Sequence, residues 1–186
     1  MPETDEQLML AFAQGDAGAF DRLYARHKGT VYRFVSRSLP SRADAEEIFQ
    51  DVWMKAIEAR QRYEPRAKFT TWLYAIAHNR LVDAWRRKGL VLVPLDGDDD
   101  GDGRPAIDPP GDPADEPFAQ ASSREALARF AAAFEALPPA QREAFVMKEE
   151  AEMSIAEIAA ATGANEEAVK SRVRYASAKL REALDG

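Results

Sequence analysis

Aromatic and basic side chains are interleaved in one stretch of the sequence, KFTTWLYAIAHNRLVDAWRRK, which runs from Lys68 to Lys88. Aromatic rings stack on unpaired bases while Arg and Lys hold phosphates, so such interleaving is typical of binding to single-stranded or melting DNA. An asparagine in this setting can read a base edge through paired hydrogen bonds. The exposed residues that we predict to face DNA on this stretch are Asn79, Arg80, Asp83, Arg86 and Arg87.

The same stretch has a plain structural interpretation. Trp72, Leu73 and Ile76 recur at the spacing of a helix core, so we expect Trp72 to serve mainly in packing. The charged residues would then form an ordinary solvated helix face, supported by a pairing of Asp83 with Arg87 one turn later.

A second group of residues has the spacing of a helix-turn-helix. This motif needs a small residue where two helices approach, a turn residue that tolerates positive φ and a branched apolar anchor. Ala159, Gly163 and Val169 meet these needs, although helix pairs with a glycine turn also occur in proteins that never bind DNA. The second helix would then present its outward residues to a major groove, with further contacts to the DNA backbone. The outward residues are Lys170, Ser171, Arg174 and Tyr175, and the backbone contacts are Arg172 and Lys179.

The elements that carry these residues are helical. From Leu8 to Trp85 apolar residues recur three and four apart, which predicts a bundle of about four helices. Breaks are expected at Gly15-Asp16, Pro40-Ser41 and around Pro65, with Asp44 and Thr70 or Thr71 in the first turns that follow. No strand is required, although residues 90–93 suit a short extended piece.

Residues 89–121 hold six prolines and nine acidic side chains. Such a segment has too little apolar surface to offset the entropy of ordering, so we predict a flexible acidic linker. The expected fold is all-α, with a helical bundle over residues 1–88 and a smaller helix-turn-helix domain over residues 122–186.

Proline, glycine and capping residues in the second domain predict where its helices begin and end. Pro138-Pro139 closes one helix and opens the next. Ser154 and Glu157 fit a capping box, and the helix that they start should end at Gly163. Asn165 can cap a final helix that runs roughly from residue 166 to residue 184.

Charge is distributed unevenly along the chain, whose net charge is −7. Residues 1–88 carry 15 Lys and Arg against 12 Asp and Glu, residues 89–123 carry 1 against 9, and residues 124–186 carry 9 against 11. Within the first block, residues 55–88 hold 9 basic and 3 acidic side chains. The acidic net charge of the chain therefore does not argue against a DNA-binding surface, because the basic residues of such a surface are clustered in one part of the sequence.

Several classes of protein are excluded or unsupported. The absence of cysteine rules out disulfides and thiolate metal sites within the chain. No apolar run is long enough to span a bilayer and the N-terminus lacks the basic start of a secretory signal, so we expect a soluble, cytoplasmic protein with no membrane insertion. No nucleophile elbow, phosphate loop or dinucleotide fingerprint is present, which argues against an enzyme and against a cofactor.

One segment of the linker imitates a calcium loop. Residues 96–102 place acids at positions one, three and five and a glycine at position six. The twelfth position, which should supply a bidentate Glu, is Ile107, and Pro105 interrupts the loop. His27 and His78 are isolated in the sequence, so we expect core or helix-face roles for them and no metal site.

Four motifs occur in order along the chain: DAEEIFQDVWMKAI, FTTWLYAIAHNRLVDAWRR, LPPAQREAF and SIAEIAAATGANEEAVKSRVRYASAKLRE. Together they closely resemble the extracytoplasmic-function sigma factors of bacterial RNA polymerase. The resemblance implies a first domain that binds the polymerase clamp and the −10 element. It also implies a second domain that binds the −35 element and the polymerase flap, with a linker that threads toward the RNA exit path.

The resemblance assigns roles to individual residues. The loop from Tyr63 to Lys68, with Arg66 and Lys68, matches the place where the family captures a base flipped from the −10 strand. Asn79 matches a neighbouring base pocket. The helix that resembles the family's clamp-binding helix contributes Asp44, Glu47, Asp51 and Trp53.

The resemblance further implies that the outward residues of the last helix meet the −35 duplex. Ala176 and Ser177 stand where relatives often carry more Arg, which predicts fewer phosphate contacts there. The implied partners are core RNA polymerase and promoter DNA, with an anti-sigma protein as a candidate regulator.

Two other interpretations remain open on the sequence. The first is a self-sufficient helix-turn-helix repressor or activator whose N-terminal bundle dimerises or binds a ligand; it would bind a palindrome without polymerase. The second is an interaction protein that sequesters a partner through its acidic helix and linker.

Overall fold

The computed structural model describes residues 2–90 and 117–185, and in these ranges the chain is helical with no strand. The linker beyond residue 90, its calcium-like segment and most of the 90–93 stretch lie outside the described residues. The expectation of an all-α fold is confirmed. The α-helices of the described ranges are α1 (Asp5–Ala13), α2 (Ala17–Ser38), α3 (Arg42–Ala59), α4 (Phe69–Arg87), α5 (Pro117–Glu135), α6 (Pro139–Glu149), α7 (Ile155–Thr162) and α8 (Glu166–Asp185).

The N-terminal bundle, α1 to α4, breaks where the sequence predicts. Gly15 has a φ of 105°, a conformation that a side chain would disfavour, and the carboxylate of Asp16 then accepts the Ala19 N–H to start α2. Ser41 caps α3 in the same way by accepting the Asp44 N–H. A 3-10 turn at Arg60–Arg62 ends α3 and leads into the loop before α4.

Helices α2, α3 and α4 bury one apolar face each against the others. Phe34, Leu73 and Trp85 are among the largest side chains that are fully enclosed there. The Trp85 indole N–H donates to the Ser38 carbonyl at 3.2 Å. This bond satisfies the one polar group of a buried tryptophan and ties the end of α4 to the end of α2.

The C-terminal unit, α5 to α8, begins earlier than predicted. Helix α5 starts at Pro117, whereas the sequence predicts that this domain begins at residue 122. Proline is favoured at the first position of a helix because its fixed φ is already helical, so the last proline of the linker opens the helix. Helix α8 packs on α5 and α6 through a small cluster of Leu137, Ala176 and Leu180.

The helix-turn-helix is confirmed at its three key positions. Ala159 and Val169 are buried, and Gly163 ends α7 in the left-handed conformation with a φ of 68°. The capping box also forms: Glu157 N–H donates to Ser154 Oγ at 3.1 Å, and Ser154 N–H donates to Glu157 Oε2 at 2.8 Å. Asn165 accepts the Ala168 N–H and so caps α8.

The two units pack against each other, which the sequence did not predict. Helix α7 lies on α4, and α6 lies on α2. One continuous apolar cluster runs from Leu73 and Ala77 of the bundle to Met147 and Ile158 of the C-terminal unit. The chain therefore folds into two helical units with a shared apolar seam.

Glu152, in the turn between α6 and α7, has a φ of 53°, a region that disfavours side chains. We predict that Glu152→Gly stabilises the protein by about 0.5–1 kcal/mol, because glycine adopts this conformation without strain. The matched control is Glu182→Gly in the exposed face of α8, where the same change should destabilise by about 0.5–1 kcal/mol. Urea unfolding measures both, and a loss of stability in Glu152→Gly would contradict the assignment.

Candidate nucleic-acid interface

The exposed face of α4 carries three of the residues predicted to meet DNA. Asn79, Arg86 and Arg87 are exposed, whereas Arg80 and Asp83 are half-buried. The Arg80 guanidinium donates to the Asp83 carboxylate at 2.6 Å. The partner of Asp83 therefore lies on its N-terminal side in α4. The predicted pairing of Asp83 with Arg87 is wrong.

Trp72 lies where the loop before α4 meets the helix. Its ring centroid is 5.0 Å from that of Tyr63 and 5.8 Å from that of Phe69, so it does pack, but it is only half-buried. Tyr63 is 6% exposed, and burial raises the pKa of its phenol to about 12. Tyr63 thus supports the loop from inside, while Trp72 is partly exposed.

The loop and α4 border a cleft of about 480 Å³, a volume in the range of small-ligand sites. The Thr71 hydroxyl is buried at its edge and has no hydrogen-bond partner among the described residues. The guanidinium groups and the indole of the cleft offer phosphate pairing and base stacking. The cleft is lined by Arg62, Glu64, Arg66, Ala67, Thr71, Trp72, Ala75 and Ala160.

Helix α1 holds the start of α4 in place. The residue at the N-cap of α4, Lys68, makes no side-chain capping hydrogen bond. The Glu6 carboxylate of α1 caps the helix instead by accepting the Phe69 N–H at 2.7 Å. The Gln61 amide donates to the Ala13 carbonyl at 2.7 Å. Sequence reasoning missed Glu6, because nothing in local spacing pairs it with a residue 63 positions away.

The residues predicted to bind polymerase divide between surface and core. Glu47 is exposed, and Asp51 and Asp44 are half-buried on α3. Trp53 is 5% exposed and contacts Phe20 and Tyr24 edge to face. Trp53 therefore stabilises the bundle, and the accessible part of this surface is carboxylate.

Asp44 is joined to the end of α4 by a hydrogen bond from Lys88. This bond holds the pKa of the Asp44 carboxyl below its usual range. The pair fixes the first turn of α3 beside the last turn of α4, so the acidic surface and the basic helix end are neighbours. A small crevice between them is lined by Asp44, Glu47, Ile48, Ala84, Arg87 and Lys88.

Helix α8 presents the outward face that the helix-turn-helix pattern predicts. Lys170, Arg174 and Tyr175 are exposed, and Ser171 and Arg172 are half-buried. The Arg174 guanidinium lies 5.2 Å from the centre of the Tyr175 ring, and Lys170 pairs with Glu167 of its own helix at 2.8 Å.

Ala176 is fully buried. This position therefore belongs to the core of the C-terminal unit, where a small apolar residue packs beside Leu137 and Leu180.

Sequence reasoning also missed a buried pair between the two units. His78 Nδ1 lies 2.7 Å from Glu143 Oε1, and Glu143 is 2% exposed. The sequence contains an indication for Glu143 but none for His78. Glu143 lies three and four residues before the buried Val146 and Met147, so it lies on the same buried face of α6. We expected a core or helix-face role for His78, and the structure places it against Glu143 of α6.

The described part of the chain contains no cluster of metal-binding side chains. Within the same ranges, no helix combines the length and the apolar character needed to cross a bilayer. The described residues present three polar surfaces: the cleft and exposed face of α4, the acidic face of α3 and the outward face of α8.

Two known families match the chain, one within each helical unit. Residues 23–90 match the family described as Sigma-70 region 2, and residues 127–180 match Sigma-70, region 4. The chain is 33% identical over 176 residues to RNA polymerase sigma factor CarQ of Myxococcus xanthus, with 95% of each chain covered. It is 31% identical over 178 residues to ECF RNA polymerase sigma factor SigM of Mycobacterium tuberculosis, covering 95% of this chain and 83% of SigM.

Two solved structures share the fold. CnrH, in complex with the cytosolic domain of CnrY, matches with a TM-score of 0.68 and 26% identity over 98% of each chain. The sigma factor RpoE of Bartonella quintana, in complex with the anti-sigma factor NepR, matches with a TM-score of 0.65 and 23% identity. That second alignment covers 89% of this chain and 96% of RpoE.

The Asp44–Lys88 pair can be tested by titration. We predict that Lys88→Met raises the pKa of Asp44 toward its ordinary value, because the lowering comes first from the Lys88 hydrogen bond. Since the folded pKa is depressed, the stabilisation is present above the unfolded pKa and is lost as pH falls through the folded one.

Lys55→Met is the matched control. Lys55 hydrogen-bonds Glu58 and lowers the pKa of that carboxyl, so its loss should move Glu58 and leave Asp44 unchanged. Carboxyl NMR titration measures both residues, and an unchanged Asp44 in Lys88→Met would refute the pair.

Proposed function

The chain belongs to the extracytoplasmic-function sigma factors, and we propose that its α4 cleft reads and melts the −10 element while α8 binds the −35 element. Factors of this family are regulatory subunits that bind core RNA polymerase and promoter DNA and direct promoter-specific transcription initiation. The proposed divisions are residues 1–88 for polymerase and −10 binding, 89–121 for the linker and 122–186 for −35 binding. Factors of this family act in the cytoplasm, where RNA polymerase is.

The observation that carries the −10 assignment is the cleft at the start of α4. Arg66 lines it from an exposed loop that also carries Lys68, and the half-buried Trp72 contributes its indole to the wall. Extruding a base from the duplex costs a few kcal/mol, which stacking and hydrogen bonds in a cleft can offset. Asn79 and the exposed cations that follow, Arg86 and Arg87, extend this surface along the helix.

The −35 assignment rests on the outward face of α8. Lys170, Arg174 and Tyr175 project from the N-terminal half of the second helix of a helix-turn-helix, the part that such motifs insert in a major groove. Ser171 and Arg172 lie at the edge of this face and are suited to phosphate or base contacts. Because Ala176 is buried, the basic face is short, which favours binding that depends on polymerase.

Polymerase binding is assigned to α3. Glu47, Asp51 and Asp44 form an acidic surface beside the basic end of α4, so the bundle can dock on a basic polymerase surface while its neighbouring helix meets DNA. Trp53 supports this helix from within the core. The flap contact is assigned to the C-terminal unit by family resemblance.

The proposal includes an anti-sigma protein as a partner. CnrH and RpoE of Bartonella quintana are both known in complexes, with the cytosolic domain of CnrY and with the anti-sigma factor NepR. Overall similarity to CnrH along 98% of the chain supports an equivalent regulator here.

The acidic linker is proposed to run toward the RNA exit path, where its charge can mimic RNA.

A reconstituted transcription assay tests the function. Core polymerase supplemented with this protein should initiate at the promoter of the protein's own operon or at sites in a genomic library. Core polymerase alone and the protein alone are the controls. Absence of initiation at every template, with a correctly folded protein, would refute the proposal.

Two substitutions test the division of labour. We predict that Asn79→Ala lowers the rate of promoter opening about tenfold or more, since one bidentate base contact is worth about 1–3 kcal/mol. We predict that Arg174→Ala weakens dependence on the −35 sequence to a similar degree. Both proteins should bind core polymerase as the unmodified protein does.

Arg124→Ala is the matched control, because Arg124 is exposed on α5 and has no assigned role. Abortive initiation assays on promoters with and without the upstream element separate the two effects. Equal loss of polymerase binding in Asn79→Ala and Arg174→Ala would contradict the division.

A further inference from the structure

Methionine is the only sulfur-containing residue type of this chain, which has five methionines and no cysteine. Within the described ranges, Met9, Met147 and Met153 are at most 2% exposed. Met54 of α3 differs from them, because it is 54% exposed. Among the described residues, Met54 is therefore the methionine that a small solute can reach without any opening of the fold.

Met54 lies on the surface of α3 that the proposed function gives to polymerase. The exposed residue Glu47 precedes it by two helical turns. Gln50 and Asp51 lie one turn before it, and Glu58 lies one turn after it, so all of them share its side of the helix. Met54 is thus an apolar side chain within a polar and mostly acidic stripe.

The packing of the bundle does not explain an apolar residue at this position. The buried face of α3 is formed by other side chains, among them Ile48, Val52 and Ala56. Methionine is enriched in protein interfaces, and the side chains that contribute most to binding are apolar and central, with a polar rim around them. Met54 and its acidic neighbours have this arrangement, so docking on polymerase buries the Met54 thioether under the proposed function.

Oxidation changes the property of this side chain on which such a contact depends. Hydrogen peroxide transfers one oxygen atom to the thioether: the O–O bond breaks, an S–O bond forms, the sulfur loses two electrons and water leaves. The sulfoxide product is polar, and burying a polar group without a hydrogen bond is unfavourable. The carboxylates beside Met54 are acceptors and offer no donor. The ammonium group of the adjacent Lys55 is paired with Glu58 at 2.9 Å.

We propose that Met54 is an oxidation site through which peroxide weakens the binding of this protein to core polymerase. The inference rests on the proposed assignment of the α3 surface to polymerase. The free protein is the target of the oxidant, because the polymerase covers Met54 in the complex. Reduction of the sulfoxide by a methionine sulfoxide reductase, which oxidises a dithiol to a disulfide and releases water, restores the thioether and with it the contact.

The burial of the other described methionines makes this modification selective. Met9, Met147 and Met153 belong to the continuous apolar cluster of the two units. An oxidant reaches an enclosed thioether only when the surrounding structure opens, and such openings are rare in a packed core. Brief treatment with peroxide therefore modifies Met54 while the core methionines, and the fold that depends on them, stay intact.

A timed oxidation of the full-length protein tests the proposal. The protein is treated with hydrogen peroxide, the excess is destroyed with catalase, and the oxidation of each methionine is measured by mass spectrometry of its peptides. The treated protein is then titrated with untreated core polymerase to obtain the Kd. Because the polymerase never meets the oxidant in this titration, any change in Kd comes from this chain.

We expect Met54 to gain an oxygen atom before the other described methionines do. As its sulfoxide accumulates, the Kd for core polymerase should rise about tenfold or more, the effect of losing one buried apolar side chain from an interface. Treatment with methionine sulfoxide reductase should return the Kd to its starting value. In a separate oxidation of the complex, bound core polymerase should slow the modification of Met54.

Two variants separate Met54 from the remaining methionines. Met54→Leu keeps a large apolar side chain without sulfur, so its Kd should be the same before and after peroxide when the treated variant is compared with the untreated one. Met54→Gln places a polar group of similar length at this position without any oxidant, and it should weaken polymerase binding in the same direction as oxidation. Urea unfolding of both variants verifies that the fold is retained.

Three results would overturn the proposal. The first is an unchanged Kd for protein that carries the Met54 sulfoxide. The second is an equal loss of binding in peroxide-treated Met54→Leu, which would place the effect at another residue. The third is oxidation of the core methionines before Met54. Failure of the untreated protein to bind core polymerase would be a different outcome, because it would overturn the proposed function itself and this inference with it.

Discussion

The structure depends on helix α4, because this one helix has to satisfy three environments at once. One face carries Leu73, Leu81 and Trp85 and is buried in the bundle. A second face, with Ala75 and His78, meets the C-terminal unit, and a third carries Asn79 and the arginines at its end to the surface. A helix repeats every 3.6 residues, so 19 residues provide all three faces without a break. Its two ends are fixed from outside, by Glu6 at the start and by the contact of Lys88 with Asp44 at the end.

Charge explains why such a protein works as part of an assembly. The chain as a whole has a net charge of −7, and the cations assigned to DNA lie on α4, on the loop before it and on α8. Lys68 of that loop and Arg37 of α2 each face a carboxylate of the C-terminal unit. Free protein of this kind has little electrostatic attraction for DNA. Under the proposed function, core polymerase compensates for this weak attraction by holding both units at the promoter.

Local pattern predicted most of the fold, because most of its determinants are local. The break at Gly15, the capping box of Ser154 and the turn at Gly163 each depend on residues within one helical turn, and all three are present. The candidate DNA residues on α4 and α8 lie on exposed or half-buried faces as the periodicity required. What could not be predicted is contact between distant segments: Glu6 at the start of α4, Glu143 against His78 and the seam between the units. Trp53 and Ala176 are further examples. The resemblance to the family suggested a surface position for both, but packing with distant residues buries each side chain in a core.

Permanganate footprinting of promoter DNA tests the central claim most directly, because the reagent reports unpaired thymines base by base. The account predicts reactivity in the −10 region only when both this protein and core polymerase are present, and its loss in Asn79→Ala. Reactivity that requires core polymerase but ignores Asn79 and the α4 cleft would contradict the assigned site. Protection of a palindromic duplex by the protein alone, with no unpaired thymines, would contradict the account as a whole.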